Sequence, residues 1–197
     1  MKNLFLSLAA TGLMLIMPGF ASAASTACAV TPPTVDSLTA CWGADHIDGH
    51  FIEKKTIAGF PKPLVSSGRF SIDRQKGVRW ETLKPFPNTL IFDDSGVRYI
   101  GSNAESSVST GNLPAVGQLA DLTRGILSGD LKLLARLFDL EVTALPIPTV
   151  RATPKDKNLS GTLREVTISG RNDIETVRLT AASGDITDLT LSHQIRR

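Results

Sequence analysis

Apolar and polar residues alternate with a period of two along Gly68-Arg69-Phe70-Ser71-Ile72-Asp73-Arg74, the pattern of a strand with one buried face. Gln75-Lys76-Gly77 reads as a turn, and Val78-Arg79-Trp80-Glu81-Thr82-Leu83 starts the next strand with Val78 and Trp80 on one side. Pro85, Pro87 and Asn88 interrupt it. Leu90-Ile91-Phe92 resumes, Asp93-Asp94-Ser95-Gly96 turns, and Val97–Gly101 returns. Four short strands joined by tight turns predict an antiparallel meander. Ahead of it, His50–Ile57 reads as an extended segment closed by Gly59 and the Pro61–Pro63 turn. The period then changes. Leu113–Leu127 places apolar residues at 116, 119, 122, 126 and 127, close to helical spacing. A second helix is predicted over Leu131–Phe138, where Asp130 is placed to cap its start. Strands are predicted again at Glu141–Leu145, Leu163–Ser169, Thr176–Ala181 and Ile186–Ser192, with turns at Gly170-Arg171-Asn172-Asp173 and Ser183-Gly184-Asp185. A short helix is expected at Val35–Trp42, after Pro32-Pro33.

At least eight short strands with a helical insertion in the middle indicate a mainly β (α+β) domain. A helix placed between runs of antiparallel strands packs on one face of a curved sheet or plugs its open side. Such a sheet leaves an apolar cleft, the usual setting for a hydrophobic ligand.

The first residues bear on compartment. Lys2 is a short basic start, and Leu4 to Met17 form an apolar core broken only by Ser7, Thr11 and Gly12. Pro18-Gly19 then breaks the helix, and Ala21-Ser22-Ala23 offers small residues for cleavage, the layout of a secretory signal peptide. The apolar run is short for a membrane span, which wants about 20 residues. Cleavage after Ala23 leaves residues 24–197 as one expected domain, 174 of the 197 residues and enough for a real core. The expected localisation is periplasmic. The whole chain has 21 basic and 19 acidic residues; loss of Lys2 with the leader brings the net charge near +1. That near-neutral balance argues against nucleic acid as a partner.

Cys28 and Cys41 are the only cysteines, 13 positions apart. In an oxidising compartment such a pair usually forms a disulfide, here closing a short loop. A catalytic or metal thiol is the alternative, without Cys-x-x-Cys spacing to support it. Ser25-Thr26-Ala27-Cys28 also leaves lipidation of Cys28 open.

Catalytic patterns are absent from the sequence: no Gly-x-Ser-x-Gly, no phosphate-binding Gly-x-x-x-x-Gly-Lys and no Gly-x-Gly-x-x-Gly. No enzyme activity, cofactor or metal is expected. Asp45-His46-Ile47-Asp48-Gly49-His50 is the one histidine cluster. In a strand its two imidazoles would stand about 13 Å apart, too far for one zinc ion with bonds near 2 Å. The segment reads as a solvated turn.

Gly68-Arg69-Phe70-Ser71-Ile72-Asp73-Arg74, the turn, Val78-Arg79-Trp80-Glu81, Pro85, and Leu90-Ile91-Phe92-Asp93-Asp94-Ser95-Gly96 together resemble the signature of the outer-membrane lipoprotein carrier (LolA) family. Phe51-Ile52-Glu53-Lys54-Lys55, Leu145-Pro146 and the segments Ile174–Leu179 and Ser183–Leu191 match further elements in order, so the resemblance covers about residues 50–192. Gly59-Phe60-Pro61-Lys62-Pro63-Leu64-Val65-Ser66-Ser67-Gly68 is similar to the LolA-related branch. The resemblance implies an incomplete antiparallel β-barrel of about 8–11 strands with helices plugging the open side. It also implies an apolar cavity for the acyl chains of lipoprotein or other lipid, with an inner-membrane donor and an outer-membrane acceptor protein as partners of a monomer. The expected lining is Phe70, Ile72, Val78, Trp80, Leu90 and Phe92 on the sheet, with Leu119, Leu122 and Ile126 on the helix. By the resemblance Arg74 ties lid to barrel, although Gln75 stands where the family has proline. The rival reading is a periplasmic sensor of lipid or lipoprotein on the same half-barrel, as in RseB-like proteins.

Overall fold

The computed structural model describes residues 32–101, 105–109, 114–144 and 146–197, with side chains at all of these except 108–109, 114–120 and 158. The leader, its cleavage site and Cys28 lie outside them. The chain begins with a helix, α1 (Val35–Trp42), then six strands: β1 (His46–Thr56), β2 (Leu64–Asp73), β3 (Gly77–Lys84), β4 (Asn88–Asp93), β5 (Gly96–Gly101) and β6 (Glu105–Ser109). Two helices follow, α2 (Pro114–Leu127) and α3 (Leu131–Leu137). Then come β7 (Phe138–Thr143), β8 (Thr149–Pro154), a short α4 (Lys157–Ser160), β9 (Leu163–Ser169), β10 (Thr176–Ala181) and β11 (Ile186–Arg196).

Among the described residues eleven strands join one sheet in the order β6-β5-β4-β3-β2-β1-β11-β10-β9-β8-β7, and every neighbouring pair is antiparallel. The sheet does not close: β6 and β7 are its two edges. Among the described strands only the pairing of β1 with β11 joins distant parts of the chain. It links two meanders, and the helical insertion between β6 and β7 lies across the concave face. The expected incomplete barrel with helices on its open side is what forms.

Register puts large apolar side chains in rows across the concave face. Ile47, Ile72, Val78, Phe92 and Val97 form one row from β1 to β5, and Gly49, Phe70, Trp80, Leu90 and Tyr99 form the next. Beside them, α3 packs against α1, α2 and β7, and α2 packs against β3, β4 and β5. Leu38, Trp42, Ile47, Ile72, Leu131, Leu134 and Phe138 are all but inaccessible to solvent. Each such side chain contributes roughly 1.5–3 kcal/mol by leaving water. Gly129 carries the chain between α2 and α3 over Trp42. Its φ is +68°, and a Cβ there would stand 2.5 Å from the Trp42 carbonyl, so glycine alone fits.

Local chemistry sets the helix ends. Thr34 caps α1, accepting from the Ser37 amide at 3.1 Å while the Ser37 hydroxyl accepts from the Thr34 amide at 2.9 Å. Asp130 accepts from the Leu133 amide at 3.0 Å at the start of α3. The C-terminus of α1 is held from far away. Arg196 donates to the carbonyls of Cys41 at 2.6 Å, Trp42 at 3.1 Å and Asn172 at 3.3 Å, and meets Asp173 at 2.6 Å. A cation on the last carbonyls of a helix satisfies orphan acceptors and complements the helix dipole. Cys41, on the same turn, is buried; its expected partner Cys28 lies outside the described residues.

Three sequence expectations need correction. Asp45–Gly49 is not a solvated turn beyond its first residue, because β1 starts at His46 and Ile47 is buried. Gly49 belongs to the strand because the Phe70 ring lies across its face; a Cβ would come within 2.5 Å of the ring. Phe138 leaves the second helix and opens β7, and that strand ends at Thr143. Two strands, β6 and β8, went unread.

Candidate ligand groove

The concave face is not filled evenly. Toward α1 and the β2–β3 turn, large apolar residues close it. Toward the opposite end, where the β1–β2, β3–β4 and β10–β11 turns gather, the inward positions are Glu53, Lys55, Leu64, Ser66, Thr82, Asn88, Leu179 and Thr187. Shorter and polar side chains leave space there, and two clefts result.

The first, of about 290 Å³, lies between α2 and the sheet. Its walls are Trp80, Leu90 and Phe92 from β3 and β4, Leu122, Ile126 and Leu127 from α2, and Leu179 and Leu189 from β10 and β11, with Glu53, Thr123 and Thr187 as polar members. The second, of about 420 Å³, continues outward past Leu64, Val65, Pro85 and Phe86. Trp80, Leu90 and Glu53 border both, so the two form one groove. Volumes of this size suit a small apolar ligand.

Aromatic stacking fixes the floor. Trp80 stacks on Phe51 with ring centroids 3.8 Å apart and planes 22° apart, and its ring lies 6.0 Å from that of Phe70. Phe51 and Trp80 sit on β1 and β3, with β2 between them. They meet because Gly68, on β2, presents no side chain; a Cβ there would stand 2.9 Å from Phe51 Cε1. One wall is tied down as well. Both terminal nitrogens of Arg124 on α2 donate to Asp94 Oδ1 at 3.1 Å, fastening the helix to the β4–β5 turn.

The groove thus brings together Trp80, Leu90, Phe92, Leu122 and Ile126 of the expected lining. Ile72 and Val78 lie in the packed core, and Phe70 supports Trp80 from beneath. Leu119 lies on α2, but its side chain is outside those described. Arg74 follows β2, where its amide donates to the Asp45 carbonyl at 2.9 Å and its guanidinium meets the Asp45 carboxylate at 3.4 Å. It therefore faces the link between α1 and β1. Phe51, Glu53, Leu179 and Leu189 were not anticipated. The Phe51-Ile52-Glu53 alternation was available locally; Leu179 and Leu189 reach the groove only through the β1–β11 pairing.

A separate cleft of about 440 Å³ on the convex face is polar, with Asp48, His50, Arg69, Arg79, Glu81 and His193 around it. Its two imidazole centroids are 5.3 Å apart. Among the described residues no group of three or more His, Cys, Asp or Glu is arranged to hold a metal ion.

A family model, Outer membrane lipoprotein carrier protein LolA, matches residues 43–196. The chain belongs to the LolA family. Solved structures with a similar arrangement include a LolA superfamily protein from Nitrosomonas europaea, at 8% identity and a TM-score of 0.48, covering 83% of this chain and 91% of that one. A putative outer membrane lipoprotein-sorting protein domain from Vibrio parahaemolyticus matches at 10% identity and a TM-score of 0.42, covering 83% and 94%. MucB of Pseudomonas aeruginosa, in complex with MucA, matches at 16% identity and a TM-score of 0.40, covering 80% of this chain and 54% of that one. No curated protein sequence matches. Among the described residues no helix is long and apolar enough to cross a membrane.

Proposed function

We propose that this LolA-family protein is a periplasmic carrier that takes acyl chains of lipoprotein or other lipid into the groove between α2 and the sheet and passes them on. The observation that carries the reading is the continuous, largely apolar trough from Leu122 and Ile126, past Trp80 and Leu90, to the rim at Leu64 and Phe86. The rim residues are 58% and 79% exposed, an arrangement that invites an apolar occupant. Each methylene taken from water contributes about 0.8 kcal/mol, so ten would supply about 8 kcal/mol before association losses. No covalent step is required, and we assign none. Release needs a wall that moves; α2, fastened at its C-terminal end by Arg124, is the candidate. Arg74 would act at the same, filled end, on the link from α1 to β1.

The test is organic extraction of protein purified from the periplasm, followed by mass spectrometry. Co-purifying acyl species at near-stoichiometric amounts support the carrier. A tightly held protein partner with an empty groove would favour the sensor reading instead.

A further inference from the structure

We propose that Glu53 makes the groove select amphiphiles whose polar end donates a hydrogen bond (an ammonium, an amide or a hydroxyl) over free fatty-acid anions. The inference rests on the carrier reading and goes beyond it, because an acyl-chain trough by itself does not distinguish head groups.

Among the described residues Glu53 is the one carboxylate on the groove wall, and it borders both clefts at their junction. Its side chain is half-buried, beside Trp80, Leu90 and Leu189. Register sets Ser66 opposite it on β2, and the Ser66 hydroxyl donates to Glu53 Oε2 at 2.9 Å. Among the described residues no lysine, arginine or histidine lies within 4 Å of the carboxylate, and the Ser66 bond is its one hydrogen bond. Acceptor capacity is therefore left over in an apolar trough. A carboxylate accepts up to about four hydrogen bonds, and a charge-assisted bond is stronger than a neutral one.

A chain lying along Leu122, Ile126 and Leu90 carries its polar end past this acceptor. A donor there completes the acceptor, whereas a second carboxylate meets like charge beside apolar walls, where screening is weaker than in bulk water. Lys55 is the opposing influence. It lies two residues further along β1 on the same face, at the outer cleft, and is exposed. Solvent screening weakens it against the half-buried Glu53.

The experiment displaces N-phenyl-1-naphthylamine, a neutral fluorescent probe, from the mature protein with dodecylamine, dodecan-1-ol or dodecanoate at neutral pH and below their micellar concentrations. Dodecylamine should bind about tenfold more tightly than dodecanoate, with the alcohol between them. Glu53→Gln keeps an acceptor for Ser66 and should bring the amine and the carboxylate within about twofold of each other. The parent's preference should also shrink as salt is raised. Equal displacement by all three ligands, a preference for dodecanoate, or an unchanged ratio in a folded Glu53→Gln protein overturns the role of Glu53 while leaving the groove as an acyl site. Failure of the probe and all three amphiphiles to bind overturns both readings. The parent's own ratio and its salt dependence decide the matter even if the variant does not fold.

Discussion

Replacing Gly68 by alanine tests whether the floor of the groove is built as described. A Cβ at Gly68 would stand 1.9 Å from the Glu81 carbonyl oxygen, 2.9 Å from the Glu81 carbonyl carbon and 2.9 Å from Phe51 Cε1. The first two are backbone atoms of β3, so relief requires β2 and β3 to part, not a side chain to swing. Overpacking of this kind costs about 1–3 kcal/mol. Pushing Phe51 off Trp80 removes a stacked pair worth about 0.5–1.5 kcal/mol more. A loss of about 3 kcal/mol follows. For a domain of this size that lowers Tm by roughly 6–12 °C, at about 2–4 °C per kcal/mol. Urea denaturation followed by tryptophan emission gives the free energy, and near-ultraviolet circular dichroism reports the aromatic packing. Gly59→Ala is the control. Nothing lies within 4 Å of its Cβ position, and only its φ of +84° opposes the change. That backbone strain costs about 1–2 kcal/mol. If Gly68→Ala loses less than about 1 kcal/mol, or no more than Gly59→Ala, the close approach of β2 to β3 and the aromatic bridge over Gly68 are wrong.

Arg196→Ala removes three hydrogen bonds to carbonyls and the contact with Asp173, and should cost about 2–3 kcal/mol in urea denaturation; a change below about 0.5 kcal/mol would deny its role at the end of α1. Leu90→Gln places an unpaired amide at a half-buried position bordering both clefts, so probe binding should weaken by about 1–2 kcal/mol while the protein stays folded. Arg74→Leu loses only an exposed ion pair with Asp45, so stability should change by less than about 1 kcal/mol. In a transfer assay the same variant should load acyl cargo and deliver it poorly; normal delivery would remove Arg74 from the mechanism. If Cys28 and Cys41 are joined, alkylation of the denatured, unreduced protein should label neither, and two labelled thiols would refute the pairing.

The sequence made the elements with an undiluted signal readable. Val35–Trp42, Leu163–Ser169 and Thr176–Ala181 fall at the bounds the pattern indicates, because their apolar spacing is regular and turn residues flank them. β8 escaped notice since its inward residues are Val150 and small Ala152, with Pro148 before it and Pro154 at its end. β6 contains a single apolar residue, Val108, so no alternation marks it. The groove was half legible for a related reason. Trp80, Leu90, Phe92, Leu122 and Ile126 come from segments whose own periodicity aims them inward. Ile72 and Val78 share that periodicity yet are wholly buried in the core, and nothing local separates lining from core. Arg196 and its carbonyl partners Cys41 and Trp42 are over 150 positions apart, and only the tertiary fold brings them together.

The groove follows from how side-chain size changes along strands that all run through the same sheet. From the α1 end to the hairpin tips, the concave face of β1 passes from Ile47 and Phe51 to Glu53 and Lys55, and that of β2 from Ile72 and Phe70 to Gly68 and Ser66. β3 passes from Val78 and Trp80 to Thr82, and β4 from Phe92 and Leu90 to Asn88. β3 and β4 thus lose bulk in the same direction, β2 does so at Gly68 and Ser66, and β1 turns from apolar to charged, so the vacancy is continuous rather than a scattering of small voids. An ordinary core would be expected to fill it, since cavities lined by apolar side chains are destabilising. Among the described side chains of α2, Leu122, Ile126 and Leu127 wall the groove, and Arg124 fastens the helix to the β4–β5 turn at the filled end. Apolar residues nonetheless persist on the rim, at Leu64, Val65 and Phe86, where solvation gives them no reason to be. Polar inward positions beside an apolar rim fit poorly with an interior meant to be closed. They fit a trough that is completed by an occupant carrying both a chain and a head group.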